Sequence, residues 1–312
     1  MSNKTILQRV FRAITDKRYR FNFFVSHGFY KNMPDDEFLK KLYKLWFERD
    51  LDLENPKTFN EKTQWLKLYD RRPEYTEMVD KFSAKEYVSR RIGEEYIIPT
   101  FGVWDRFEDI DFDKLPQQFV LKCTHDSGGI VIVKDKDKLN KKAAKAKIEK
   151  CLKRNFYDLG REWPYKNVKP RIIAEQYMED AKMHELRDYK FFCFNGTPKL
   201  LLLASERQSK QEEMKVDFFD MDYKHLPIKK GHPNAPSLPE KPATFEEMKT
   251  LAAKLSAGVP LLRVDFYEAN GKCYFGELTF SSGNGIGAFE PEEWDYTLGE
   301  WITLPPKKSD IK

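Results

Sequence analysis

The sequence predicts an α+β protein. Three observations carry that expectation: the first eighty residues read mainly as helices, three hairpin signals follow, and a further helix precedes the last hairpin. Apolar residues recur at helical spacing in Asp35–Arg49 (DDEFLKKLYKLWFER) and in Asn60–Tyr69 (NEKTQWLKLY), where Asn60 is the expected N-cap. The hairpins are Gln118–Lys134 around a Gly-rich turn, Asp188–Ala204 around Asn195–Gly196, and Leu261–Phe280 around Asn270–Gly271. Thr244 is expected to cap a helix running to about Ala257, which Gly258–Pro260 ends.

Taken in order, residues 4–24 form a basic amphipathic helix in this reading, with Ile6, Val10, Ile14 and Phe21 beside Arg9, Arg12, Lys17 and Arg18. It either lies on an anionic membrane surface or docks its apolar side on the core. A helix is expected over Met78–Arg91, ending near Gly93, then a short strand at Ile97–Trp104. In QFVLKCTHDSGGIVIVK, Lys122 near the strand end and Gly128–Gly129 six residues on are suited to placing a point charge and backbone N–H groups around a polyphosphate. An ordinary hairpin with a surface lysine fits the same letters, and turn polarity accounts for His125 and Asp126. Residues 134–154 read as a solvated lysine-rich helix, and Arg171–Met178 as a strand carrying Glu175. Asp188 and Lys190 share one face of their strand, while residues 205–242, with five prolines, read as a long loop over a cleft.

Composition narrows the class. With 312 residues, 40% of them hydrophobic, the chain can bury a large core split between two or three subdomains. Its charge of +5 is a small residue of 55 basic and 50 acidic side chains, which argues against a nucleic-acid binder but leaves room for a basic cleft and an anionic substrate. Cys123, Cys151, Cys193 and Cys273 are too scattered for a zinc motif and read as buried reduced thiols. No apolar run approaches the roughly 18 residues of a membrane span, so a soluble cytoplasmic protein is expected.

The chemistry concentrates in LLRVDFYEANGKCYFGELTF at 261–280. Alternation puts Arg263, Asp265 and Tyr267 on one face of the first strand, and Glu277 with Thr279 on one face of the second. Charges inside apolar strands are costly unless paired. Asp265 and Glu277 offer hard oxygens suited to Mg²⁺ carrying nucleotide phosphates; an Arg263–Glu277 ion pair without ligand answers the same need. With five histidines, no Ser–His–Asp or Cys–His set stands out. Three DxD pairs, Asp111/Asp113, Asp135/Asp137 and Asp220/Asp222, keep a metal-dependent glycosyltransferase open as the rival.

The ordered set Lys81, Lys122, Glu175, Asp188, Lys190, Arg263, Asp265 and Glu277 resembles the ATP-grasp superfamily. The chain is most similar to its TupA-like branch, associated with teichuronopeptide and other surface-polysaccharide biosynthesis. The segments that carry this are NPKTFNEKTQWLKLYDR (55–71), DKFSAKEYV (80–88), GEEYIIPTFGVWD (93–105), LPQQFVLKCTHDSGG (115–129), PRIIAEQYM (170–178), DYKFFCFNG (188–196) and RVDFYEANGKCYFGELTF (263–280). The resemblance implies an ATP-grasp fold, with two α+β subdomains of antiparallel sheet clasping ATP. A helical region at 1–80 precedes a small subdomain at 81–172 and a large one at 173–312. It implies that Lys81, Lys122 and the loop Ser127, Gly128, Gly129 meet the phosphates, and that Glu175, Gln176 and Tyr177 hold the adenine edge. Asp188 is then near the ribose, Lys190 and Arg263 face the transferred phosphoryl group, and Asp265, Glu277 and Thr279 hold Mg²⁺. Thr279 departs from the pattern, since many relatives have Asn there. SSGNGIGAF (281–289) falls where relatives keep a small-residue loop beside the substrate carboxylate. The implied reaction is carboxylate–amine ligation through an acylphosphate. It joins an amino compound to a sugar carboxylate such as a uronic acid in a capsular or surface polymer, at the inner face of the membrane if the N-terminal helix touches it. The second rival is a non-catalytic nucleotide-binding or scaffold protein of a polysaccharide-assembly complex, and a sugar kinase shares the same scaffold.

Overall fold

Two antiparallel sheets organise the chain in the computed structural model, which describes residues 11–181, 186–205 and 214–307. Helix α1 (Lys17–Ser26) starts where the Asp16 carboxylate accepts the Tyr19 N–H. The helix expected over 4–24 is therefore broken at Asp16; its Ile6 and Val10 lie outside the described residues. Phe21 and Val25 are buried, but Ile14 is 69% exposed, so only the second half docks. α2 (Asp35–Phe47) carries Asp35, Asp36 and Glu37 in its first turn, where the helix dipole favours them. α3 (Phe59–Tyr69) is capped by Thr58, not Asn60. Thr58 Oγ1 accepts from Glu61 N–H while the Glu61 carboxylate accepts from Thr58 N–H, a reciprocal box that leaves Asn60 buried against Asp295 and Gly287. These helices share a core of Phe38, Leu42, Tyr43, Trp65 and Leu68.

The helix expected over Met78–Arg91 divides into α4 (Glu74–Val79) and α5 (Ser83–Ile92). Asp80 divides it: its carboxylate accepts from the Phe82 N–H and the Ser83 hydroxyl and pairs with Arg171 at 2.5 Å. Lys81 is thereby left outside both helices, and its own N–H reaches the Thr124 carbonyl.

The smaller sheet runs β1 (Thr100–Trp104), β4 (Ile172–Gln176), β2 (Phe119–Cys123), β3 (Ile130–Val133). Phe119, Leu121 and Cys123 pack onto Ala144, Ile148 and Cys151 of α6 (Lys141–Leu152), so the lysine-rich helix is wet on one side only. Lys122 and Glu175 turn to the opposite face. The boundary expected after residue 172 falls at the first residue of β4, whose partners β1 and β2 both belong to this sheet.

The larger sheet runs β10 (Lys272–Thr279), β9 (Leu261–Ala269), β5 (Asp188–Phe194), β6 (Thr197–Ser205), β7 (Lys215–Phe219), β8 (His225–Leu226). The stretch 205–242, expected as loop, thus supplies two strands; its prolines interrupt the pattern without preventing Val216 and Phe218 from finding the sheet. Asn195–Gly196 and Asn270–Gly271 both take positive φ, as tight hairpin turns require. Between β3 and β4 in sequence, α7 (Tyr157–Gly160) leads into a buried Arg161. Thr244 precedes α8 (Phe245–Ser256) but does not cap it; its N–H and hydroxyl go to Glu268.

One face of the larger sheet packs Phe191, Leu203, Val264 and Phe266 against α8 and α5. The other face changes character along its strands. Phe192, Phe194 and Leu261 lie beneath α3 and α9 (Glu293–Glu300), whereas on the same strand faces Asp188 and Lys190 line a cleft, with Arg263 and Asp265 bonded to one another beside them. A bulge at Gly276 shifts the β9–β10 register, setting Phe275 against Phe266 and Glu277 against Asp265.

The helix cover depends on a close approach. A Cβ on Gly299 would stand 2.0 Å from the Lys57 carbonyl oxygen and 2.8 Å from Thr58 C, backbone that cannot rotate aside. Gly299→Ala is expected to lower stability by about 1–3 kcal/mol, the usual range for overpacking, in urea unfolding followed by circular dichroism.

Candidate active site

Residues from both sheets and from the α4–α5 junction line one cleft of about 210 Å³. Lys122, Ser127, Ile130 and Glu175 come from the small sheet and its Gly-rich loop. Asp188, Lys190, Tyr267 and Glu277 come from the large sheet, Lys81 from the α4–α5 junction and Lys85 from the first turn of α5. Period-2 alternation delivers the charged groups, and the Gly276 bulge keeps Glu277 in phase with them.

The charges are interleaved. Arg263 donates from Nε to Asp265 Oδ1 at 2.7 Å and from Nη2 to Asp265 Oδ2 at 2.8 Å and Glu277 Oε1 at 2.7 Å. Lys190 Nζ donates to Asp265 Oδ2 at 2.6 Å and to Asp188 Oδ2 at 2.5 Å. Lys81 Nζ lies 3.9 Å from Glu277, and Thr279 Oγ1 donates to Glu277 at 3.3 Å. The Arg263–Glu277 pair read as a rival to metal binding is therefore formed, and it coexists with the convergence of the two carboxylates. Burial disfavours the charged forms of Asp265 and Glu277. At Glu277, Lys81, Arg263 and Lys190 outweigh burial and hold the group at about 2; at Asp265 burial prevails over Arg263 and Lys190, and the group stays raised.

The donor set fits a hard divalent cation. Two carboxylates stand opposite each other across β9 and β10, with a hydroxyl two residues on, and all offer oxygen.

On the small sheet, Glu175 is 4% exposed and paired with Lys122 at 2.5 Å and Lys85 at 2.6 Å. Burial raises Glu175, but Lys122 and Lys85 overcome it and leave the group lowered. Lys122 is thus neither a surface lysine nor an isolated one. Lys85, absent from the sequence-derived set, also reaches the Ile98 carbonyl and Thr100 Oγ1; its spacing of four from Lys81 in DKFSAKEYV was the available signal. Gln176 and Tyr177 line a separate recess with Phe101 and Lys134 rather than the cleft that Glu175 lines. Gly128 and Gly129 approach without lining the cleft. A Cβ on Gly129 would meet the sulfurs of Cys151 and Cys123 at 2.5 and 2.6 Å, so the loop lies directly on that core. His125 and Asp126 are buried rather than turn-surface residues: Asp126 accepts the Gly128 N–H at 3.0 Å and pairs with Arg154, tying the loop down. All four cysteines are free and buried.

The loop 281–289 sits beside Arg263, which donates to Ser282 Oγ at 3.1 Å. Asn284 takes a φ of 61°, held by Lys67, whose Nζ donates to the Asn284 carbonyl at 2.7 Å and to the Gly160 carbonyl at 3.0 Å. Each DxD pair is a capping turn. Asp111, Asp135 and Asp220 accept the N–H of Asp113, Asp137 and Asp222 respectively, so a local turn accounts for each pair.

Residues 61–303 match the family model described as TupA-like ATPgrasp. No curated protein matches the chain. Similar solved structures include D-alanine–D-alanine ligase from Bacillus anthracis complexed with ATP, at 17% identity over 65% of this chain and 53% of that one, with a TM-score of 0.36. The ATP-grasp ligase PsnB complexed with a minimal precursor shows 14% identity over 68% and 54%, TM-score 0.37. The Helicobacter pylori D-alanine–D-alanine ligase shows 13% over 73% and 61%, TM-score 0.39. The chain thus spans less than two thirds of the length of these structures.

Because Glu175 is depressed below 4.5 by its lysines, its stabilising effect is complete above that pH and is lost as pH falls through its folded value. Glu175→Gln is expected to cost about 3 kcal/mol at neutral pH by leaving two cations half-buried, and the deficit relative to wild type shrinks in acid; urea titrations across a pH series check both.

Proposed function

Because the chain belongs to the TupA-like ATP-grasp family, we propose that it is an ATP- and Mg²⁺-dependent carboxylate–amine ligase acting on a sugar carboxylate and an amino compound. The observation that carries this reading is the cross-strand pair Asp265 and Glu277: Glu277 lines the cleft with Lys81, Lys122 and Lys190, and the buried Asp265 lies beneath it, bonded to Lys190 and Arg263.

In this reading Asp265, Glu277 and Thr279 hold the metal. When bound, it supplies charge neutralisation between phosphate oxygens. Lys81, Lys85 and Lys122 bind the phosphates, with Glu175 fixing the last two in place. The substrate carboxylate attacks the γ-phosphorus, the bond to the ADP oxygen breaks, and an acylphosphate forms. The amine then attacks the acyl carbon, phosphate leaves, and the amide nitrogen gives up its proton. Lys190 and Arg263 stabilise the negative charge that gathers on the transferring group, already oriented by Asp188, Asp265 and Glu277. No side chain acts as a covalent nucleophile. The slight basic excess and the family's association favour a uronic-acid unit of a surface polysaccharide as the carboxylate.

An ADP-release screen of uronic acids against amines, with products weighed by mass spectrometry, tests the reading. An amide product is expected; a phosphorylated sugar without amide would make the protein a kinase instead. Glu277→Gln and Asp265→Asn are each expected to cut turnover by about 10²–10³ while circular dichroism stays native, and unchanged turnover would remove the metal role from these residues.

A further inference from the structure

Four of the nine large apolar side chains exposed among the described residues fall between positions 11 and 29: Phe11 at 68%, Ile14 at 69%, Phe23 at 42% and Phe29 at 70%. The same stretch, extended to residue 31, holds Arg12, Lys17, Arg18, Arg20 and Lys31 against the single acid Asp16. Asp16 is committed to capping α1 and lies 3.6 Å from Arg12. Beside this stretch α1 and α2 leave an open groove in which Lys17, Arg20, Lys41 and Lys44 surround Phe24 and Tyr30, with Glu48 the one carboxylate in its wall; Lys44 also pairs with Asp50.

Among the described residues no helix is long and apolar enough to cross a membrane. We infer that this face docks on the surface of an anionic phospholipid bilayer. The mixture of groups chooses the occupant. Protein interfaces concentrate apolar residues in a core depleted of charge, whereas here aromatic rings and cations alternate across one surface. That mixture suits the boundary between headgroups and acyl chains, where rings enter the interface and cations meet acidic lipid.

The face is also rigidly presented. Arg20 donates to the Ala13 and Ile14 carbonyls, and Arg18 to the Leu45 and Trp46 carbonyls, so the segment carrying Ile14 is tied to α1 and α1 to α2. Behind it, the buried Arg161 donates to the Tyr30 carbonyl at 2.5 Å and pairs with Asp35 at 3.2 Å. The neighbouring Gly160 carbonyl accepts from Lys67, which holds Asn284 in the loop beside Arg263. A continuous polar chain therefore links the docking face to the cleft, and binding a bilayer fixes how the cleft mouth faces the membrane.

The test is co-flotation of the full chain with vesicles of phosphatidylcholine containing roughly 30% phosphatidylglycerol, and with phosphatidylcholine alone. Binding to the acidic vesicles, weak binding to the neutral ones, and release as salt shortens the screening length are expected. Phe23→Ser/Phe29→Ser and, separately, Lys41→Glu/Lys44→Glu should each lower partitioning by roughly tenfold or more, with unfolding midpoint and ADP release on soluble substrates unchanged. Equal binding of the variants, absence of vesicle binding, or retention only on a soluble polyanion such as heparin would overturn the proposal. So would a dimer in sedimentation that the same substitutions dissociate.

Discussion

The chain of charges Lys190–Asp265–Arg263–Glu277 is the constraint around which the larger sheet is arranged. Asp265 is 1% exposed, and a buried ion of this kind carries a desolvation penalty of several kcal/mol that its partners only partly offset. Replacing a buried ion cluster by packed apolar residues is often neutral or stabilising, and Phe192, Phe194 and Leu261 fill the same strand faces with hydrocarbon. Stability therefore does not explain the lattice, and the helices α3 and α9 stop short of covering it. Their end marks the end of the core and the beginning of the cleft.

The smaller sheet repeats the arrangement with opposite sign. There a single buried carboxylate, Glu175, holds two lysines, whereas in the larger sheet two cations hold three carboxylates. Each sheet is thus locally compensated, and both present fixed, preorganised charges into shared space. Preorganisation extends outward from the charges. Asp126 anchors the Gly-rich loop, Asp80 interrupts a helix so that Lys81 leaves it, and Lys67 holds the loop at Asn284. Burial lowers Lys67, against the pull of the nearby Glu162, which burial in turn raises. Burying Lys67 against carbonyls is a costly way to hold a loop, consistent with a loop whose shape matters.

Alternation and turn chemistry made the three hairpins legible, and with them the shared face of Asp265, Glu277 and Thr279, because both signals are local. What escaped reading was decided by partners distant in sequence. Asn60 has the chemistry of an N-cap, but the Thr58–Glu61 box and the acceptor Asp295 claim the position. Residues 215–226 look like loop until β6 supplies a template for them. Lys85 reads as an ordinary helical lysine until Glu175 arrives from β4. His125 and Asp126 look like turn polarity because nothing nearby in sequence reveals that Arg154 and α6 cover them.

The bulge at Gly276 has an implication for how this sequence can change over time. On β10 the core-facing residues are Cys273, Phe275 and Leu278, an odd step that only the extra residue reconciles with a twofold strand repeat. Gly276 acts as a phase-setting insert, and its Cβ-less backbone lies 3.0 Å, measured from an ideal Cβ, from the Asp265 carbonyl oxygen. Loss of that one position would exchange the two sides of everything after it, sending Glu277 and Thr279 into hydrocarbon and Leu278 into water. A substitution along this strand alters one position, whereas a change in its length alters every position after it.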